Sequence, residues 1–174
     1  MTELDRAEFF RTITSFARSA WRWECQGVYH EPEEQEPFAR WRQGRPDSAF
    51  LDDWLAMVRS WRADGKTFER VRMLTDPPSD YQRWMLSLTH LNVDAGDDIR
   101  WLGEADARRL GAPSEDFYLL DDERVVLMRF GEGGVAGAEV TDAPARVEAA
   151  RRWRTLAWQH AIPHTEYVAS SGRT

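Results

Sequence analysis

The chain has 174 residues, of which 42% are hydrophobic and 12% aromatic, and its formal net charge is −7. This length and apolar content suit one domain with a sizeable core and exclude a largely disordered chain. The negative charge argues against broad binding to a phosphate backbone, which needs a positive field. The single cysteine, Cys25, excludes a disulfide framework and a cysteine-based zinc site.

Targeting and membrane signals are not visible in this sequence. The N-terminus does not resemble a signal peptide, and no apolar run approaches the roughly 18 residues of a membrane span. We therefore expect a soluble, cytoplasmic protein with no membrane contact. We expect a single domain over 1–174, with a mostly helical front part over 1–65, a sheet-containing core over 66–168 and a frayed tail over 169–174.

The first 25 residues change from helical to alternating apolar spacing. Phe9 and Ile13 are one helical turn apart, which predicts a helix over 8–18. Trp21 and Trp23 then alternate with charged residues, which predicts a strand.

The same reading extends along the rest of the chain. Up to residue 98 we expect a loop over 30–35, a helical turn over 36–43, a helix over 47–64, a strand over 68–74 and a helix opened by a Ser79/Gln82 capping box. We then expect a strand over 99–102, a short helix over 104–110 and a hairpin over 116–130 with an acidic turn at Asp121-Asp122. A glycine-rich turn over 131–137, a strand over 138–141 and a helix from 142 to about 161 complete the series. This order predicts an α/β fold of the α+β kind. Its sheet is mixed, mainly antiparallel and of about five to six strands, with helices packed on it and a helical N-terminal part before it.

Arginines within predicted strands are the constellation most relevant to binding. The alternation over 68–74 places Val71 and Met73 on one face and Arg70 and Arg72 on the other. Charged residues within strands must face solvent or be paired. If these arginines and Arg100 converge beside an aromatic ring, they form a pocket for an anion or an aromatic ligand; the alternative is a solvated, salt-bridged sheet face. The ligand-binding candidates are Arg70, Arg72, Tyr81, Trp84, Arg100, Trp101 and His164.

The spacing of histidines and carboxylates in the sequence does not indicate a catalytic or metal site. His160 and His164 are four residues apart, a spacing that can hold a metal on a helix, but Pro163 lies between them. Adjacent acids such as Asp97-Asp98 are typical of turns, whereas a two-metal site draws its carboxylates from separate elements. We therefore predict no catalytic residue, no metal site and no cofactor.

Several motifs along the chain resemble an uncharacterised actinobacterial family of roughly this length. They are Ser19–Glu24, Tyr29, Arg70–Arg72, Ser79–Tyr81, Asn92-Val93, Gly96–Leu102, Asp116–Tyr118, Leu120–Asp122, Ala161–His164 and Tyr167. Members of that family are often encoded near helix-turn-helix regulators. The resemblance therefore implies a regulatory accessory role.

The second half also resembles the phospholipase D-like fold as it is used in non-catalytic sensor domains. The resemblance rests on the strand, acidic turn and second strand of Phe117–Met128. Catalytic members of that group carry a His-x-Lys-x4-Asp motif, whereas the single lysine of this chain, Lys66, has no histidine near it in the sequence. The resemblance therefore implies that the enzyme chemistry is absent.

Three functional hypotheses follow. The first is a non-enzymatic regulatory or adaptor protein that acts through protein contacts and binds a small anionic ligand. Its partner would be a helix-turn-helix regulator or a second copy of itself. The second is an enzyme of unknown class with a site around His164, Arg100 and Asp97. The third is a nucleic-acid-associated protein, which requires a contiguous arginine patch; the net charge disfavours direct nucleic-acid binding.

Overall fold

One eight-stranded sheet runs through the computed structural model, which describes residues 1–171. The strands are β1 (Thr2–Asp5), β2 (Ser19–Glu24), β3 (Thr67–Leu74), β4 (Asp97–Gly103), β5 (Phe117–Leu120), β6 (Arg124–Gly131), β7 (Gly134–Thr141) and β8 (Ile162–Pro163). Their order across the sheet is β1-β7-β6-β5-β2-β3-β4-β8. The β2–β3 and β3–β4 pairs are parallel and the other neighbouring pairs are antiparallel. The predicted mixed, mainly antiparallel sheet is confirmed, with more strands than expected.

Helices cover both faces of this sheet. They are α1 (Arg6–Thr14), α2 (Pro32–Arg42), α3 (Asp52–Ala63), α4 (Asp80–Ala95), α5 (Glu104–Arg109), α6 (Pro144–His160) and α7 (His164–Ser171). We call the side that carries α1, α3 and α4 the first face, and the side that carries α5 and α6 the second face. None of the helices within residues 1–171 combines the length and the apolar character needed to cross a membrane.

The second face is built around tryptophans. The ring centroid of the fully buried Trp23 lies 5.0 Å from that of Trp153 on α6. Trp23 Nε1 donates to the Pro113 carbonyl at 3.0 Å, so the ring buries its area without losing its hydrogen bond. Val71 packs in the same cluster, which confirms the predicted split of β3 into an apolar face and an arginine face.

The first face joins the sheet to α1, α3 and α4. Phe9 of α1, Val58 of α3 and Tyr118 of β5 are each no more than 2% exposed in one cluster. The start of α4 confirms the predicted capping box: Ser79 Oγ accepts from the Gln82 N–H at 3.1 Å, and Gln82 Oε1 accepts from the Ser79 N–H at 3.2 Å.

One prediction for the first half was wrong, and another is met only in part. Residues 1–65 hold α1, α2 and α3 but also β1 and β2 of the sheet, so a helical part before the sheet is not clearly shown. Residues 32–35 are not a loop, since α2 runs from Pro32 to Arg42 and takes in all but the last residue of the predicted turn over 36–43. A proline at the first helical position and two glutamates in the first turn favour this earlier start.

The second half needs corrections as well. The glycine-rich segment 131–137 is mostly strand, with its turn at Glu132-Gly133, because β7 runs from Gly134 and pairs with both β6 and β1. The chain after Pro163 continues as α7 through residue 171, so residues 169–171 of the expected tail are helical. The rest of the predicted tail, 172–174, lies outside the described residues.

Candidate ligand-binding site

A cavity of about 220 Å³ lies between the first face of the sheet and helices α1 to α4. It exceeds the roughly 150 Å³ of an engineered apolar cavity that accepts benzene. Aromatic side chains make up much of its lining, among them Phe10, Tyr29, Phe50, Trp54, Tyr81 and Tyr118. The exposed residues Phe10 and Glu33 mark where the cavity meets solvent.

Three arginines and one glutamate form the sheet side of the cavity. The Glu24 carboxylate lies 2.8 Å from Arg22 Nη1, 3.3 Å from Arg70 Nη1 and 2.5 Å from Arg72 Nε. Burial alone would raise the pKa of Glu24, but the three guanidinium groups outweigh it and lower this pKa to about 2. Glu24 is therefore a permanent anion that holds the arginines in place.

Arg70 is the most deeply buried of the three arginines, at 4% exposure. Its Nη2 donates to Asp97 Oδ2 at 2.5 Å, and Asp97 is 1% exposed. Burial raises the pKa of Asp97, although the Arg70 guanidinium opposes the shift. Arg70 Nε and Asp97 Oδ1 are both buried without a hydrogen-bond partner in the described part of the chain.

Arg22 presents a guanidinium group to the cavity. Its side chain is 15% exposed, and its guanidinium carbon lies 5.2 Å from the ring centroid of Tyr118 and 5.8 Å from that of Tyr29. Besides Glu24, its charge partner is Asp116, 3.8 Å from Arg22 Nη2. Arg22 Nε is buried without an acceptor within residues 1–171.

Asp116, the second charge partner of Arg22, also accepts two hydrogen bonds from side chains. Its carboxylate accepts from the Tyr29 hydroxyl at 2.5 Å and from the Cys25 thiol at 3.0 Å. Burial, with Asp116 as the next cause, raises the pKa of the Cys25 thiol. The thiol therefore stays protonated at neutral pH and is a poor nucleophile.

Acidic residues at the start of α2 line the other side of the cavity. Glu31 accepts from Arg6 Nη2 and from the Val135 N–H, both at 2.9 Å, and Glu33 lies 3.4 Å from the same Arg6 nitrogen. Glu34 instead accepts from the Tyr81 hydroxyl at 2.8 Å. Burial raises the pKa of Glu34 to about 7, against the smaller opposing effects of the Tyr81 hydrogen bond and Arg72.

The structure brings together four of the seven predicted binding residues. Arg70, Arg72, Tyr81 and Trp101 line the cavity. Trp84 is fully buried in the core beside them.

Arg100 does not converge with the other two arginines, so the convergent alternative does not hold for this residue. The register pairs Arg100 with Val71, so Arg100 points to the second face. Its guanidinium carbon there lies 3.7 Å from the ring centroid of Trp158. A one-residue offset between neighbouring strands is enough to move a side chain to the opposite face.

The three residues of the predicted enzyme site do not form one cluster. His164 Nδ1 accepts from Trp101 Nε1 at 3.0 Å, while Asp97 pairs with Arg70, and Arg100 is on the other face. Burial lowers the pKa of His164, helped by Arg72 and His90. Within residues 1–171, no group of three or more His, Cys, Asp or Glu side chains is placed to hold a metal ion.

Sequence reasoning missed Arg22, Glu24 and Glu34 as site residues. The signal for the first two was present: they alternate with Trp21 and Trp23, so a strand that buries the tryptophans directs both charges to the other face. Glu34 lies in a segment that was expected to be a loop, and its position follows from the docking of α2.

Comparisons with known proteins give a fold and a family. NucT from Helicobacter pylori matches with a TM-score of 0.57 and 10% sequence identity, over 90% of this chain and 89% of that chain. At that identity the match shows a shared fold alone. The curated proteins contain no match. Residues 7–169 match a family model. The chain therefore belongs to the family described as "Domain of unknown function (DUF6879)".

Proposed function

We propose that the protein is a non-enzymatic regulatory or adaptor protein that binds a small anionic ligand in the cavity and acts through protein contacts. The observation that carries the proposal is the placement of Arg22. Its guanidinium is held between Tyr29 and Tyr118, faces an aromatic-lined cavity and retains a buried N–H without an acceptor within residues 1–171. A planar guanidinium in such surroundings suits a carboxylate attached to an aromatic ring.

The charge within the arginine cluster is balanced, which disfavours a polyanion as the ligand. Three cations, Arg22, Arg70 and Arg72, meet three carboxylates, those of Glu24, Asp97 and Asp116, within 4.0 Å. A nucleic-acid backbone needs a surplus of positive charge along its path. This balance supports the small-ligand hypothesis over nucleic-acid association.

The enzyme hypothesis receives less support from the geometry. Its three residues are separated, and the Cys25 thiol beside the cavity is protonated. The phospholipase D-like fold is part of the proposal, and the match with NucT fits it loosely. The single lysine, Lys66, donates to the Phe16 carbonyl at 3.0 Å, which supports a structural use of that side chain.

Ligand binding can be tested by isothermal titration of the full chain with 4-methylbenzoate, a single-ring carboxylate. We expect binding, and a loss of about 10-fold or more in Arg22→Met, because a hydrogen bond to a charged group contributes about 1.5–3 kcal/mol. Arg108→Met is the matched control, since the Arg108 side chain is 77% exposed and lies on α5, on the second face of the sheet. No heat of binding at millimolar concentration would count against the proposal.

The protein-contact part of the proposal names a helix-turn-helix regulator encoded nearby, or a second copy of this chain. A tagged protein purified from its native host lysate, followed by mass spectrometry, tests it. A stoichiometric DNA-binding regulator in the eluate supports the adaptor role. An eluate that holds the bait alone, with a monomeric mass in solution, would contradict this part and leave ligand binding to be judged by titration.

A further inference from the structure

One charged side chain of the cavity differs from the others in its surroundings. Six of the seven charged residues that line the cavity have an opposite charge within 4.0 Å: Arg22, Glu24, Glu31, Glu33, Arg70 and Arg72. The seventh, Glu34, has no ion pair with any residue in the described range 1–171. A part-buried carboxylate without a counter-ion is costly. A cation supplied by a ligand would give the Glu34 carboxylate the counter-ion that it lacks.

The surroundings of Glu34 suit an ammonium group. The carboxylate accepts from the Tyr81 hydroxyl, and the ring centroid of Tyr81 lies 5.8 Å from that of Tyr29. Aromatic faces beside a carboxylate attract a cation through both the ring quadrupole and the opposite charge. Burial, which raises the pKa of Glu34 to about 7, is the effect expected of a carboxylate that lacks such a cation.

Tyr29 connects this end of the cavity to Arg22. Its ring centroid is 5.8 Å from the Arg22 guanidinium carbon and 5.8 Å from the Tyr81 centroid. Arg22 and Glu34 are therefore connected along the cavity lining by the neighbouring rings of Tyr29 and Tyr81.

We infer that the ligand is a small aromatic zwitterion, whose ammonium group is bound by Glu34 and whose anionic group is bound by Arg22. This inference rests on the proposed function and adds the second charge of the ligand. Both residues line the same cavity, whose volume of about 220 Å³ suits a single-ring ligand.

Three probes that share one ring and differ in charge test the inference by isothermal titration of the full chain at pH 8. They are 4-(aminomethyl)benzoate with both charges, 4-methylbenzoate with the anion alone and 4-methylbenzylamine with the cation alone. We expect the zwitterion to bind about 10-fold more tightly than either, the ratio that about 1.4 kcal/mol produces. Glu34→Gln should remove the advantage over 4-methylbenzoate and leave the affinity for 4-methylbenzoate unchanged.

The control variant is Glu36→Gln on the same helix, whose side chain is 74% exposed and pairs with Arg40. It should keep the full preference for the zwitterion. If 4-methylbenzoate binds as tightly as the zwitterion and Glu34→Gln changes neither, the inference is overturned while the proposed function stands. If none of the three probes binds, both are overturned.

Discussion

Glu24 and Arg72 lie opposite each other in the parallel pairing of β2 with β3, and Arg72 Nε donates to the Glu24 carboxylate at 2.5 Å. The same register places Arg22 opposite Arg70, so that one carboxylate meets three guanidinium groups. The candidate site is therefore a product of sheet register, and its charges come from two strands that are distant in the sequence.

The first prediction concerns the removal of Glu24. Glu24→Gln removes the negative charge that three buried or part-buried guanidinium groups share. We therefore expect a loss of about 3–5 kcal/mol in the free energy of unfolding, measured in urea. Glu123→Gln is the control, because both side chains of the Arg18–Glu123 pair are 64–65% exposed and the substitution should leave stability nearly unchanged. Equal effects from the two variants would contradict the structural importance of Glu24.

The second prediction concerns how the contribution of Glu24 to the free energy of unfolding depends on pH. Its folded pKa of about 2 lies below its ordinary value of 4.5, so its contribution is present above pH 4.5 and is lost as the pH falls through 2. The difference in unfolding free energy between wild type and Glu24→Gln should therefore shrink between pH 4.5 and 2. A difference that stays constant over this window would show that charge is not the cause.

The third prediction has the opposite sign and concerns Glu34 in the absence of ligand. Its folded pKa of about 7 lies above its ordinary value of 4.5, so ionisation costs stability as the pH rises from 4.5 to 7. Glu34→Gln should be more stable than wild type at pH 8 and equal to it below pH 4.5, by thermal unfolding at both pH values. A variant that is less stable at pH 8 would mean that Glu34 already has a cationic partner.

The fourth prediction concerns Asp121, which ties the hairpin turn to the start of β2. Its carboxylate accepts from the N–H groups of Ala17, Arg18 and Ser19 at 2.6–3.1 Å, and its φ is 55°. Asp121→Ala loses these bonds and forces alanine into a left-handed conformation, so we expect a loss of about 2–4 kcal/mol in urea unfolding. Asp121→Asn keeps one acceptor oxygen and tolerates this φ, and should lose less than the alanine variant.

The fifth prediction concerns Gly134, whose φ is +87° and which lies under Glu31. A Cβ at this position would lie 2.7 Å from the Glu31 carboxylate, so Gly134→Ala must displace the side chain that binds Arg6. We expect a loss of about 1–2 kcal/mol or more. At the neighbouring Gly133 a Cβ would meet nothing within 4 Å, and Gly133→Ala should be close to neutral by the same measurement.

Much of the local structure could be predicted because its causes are local. The alternation of Trp21 and Trp23 marks β2, and the spacing of Ser79 and Gln82 marks the start of α4; both are confirmed. The placement of Arg70 and Arg72 on one face also followed from the period of a strand. Each of these features depends on residues within a few positions of each other.

The face of the sheet on which Arg100 lies could not be predicted from its own segment. Its strand was predicted, but its face depends on which residue of β3 it pairs with, and that partner is distant in the sequence. The position of Glu34 likewise depends on how α2 docks over the cavity.

The sequence by itself determined the secondary-structure periods, the capped start of α4 and the apolar faces, because backbone sterics and side-chain spacing act over a few residues. Only the tertiary structure decided that β2 lies between β5 and β3, and that Arg22, Glu24 and Glu34 meet around one cavity. The physical reason is that strand order and register are chosen by the burial of two whole sheet faces at once, a condition that no short segment contains.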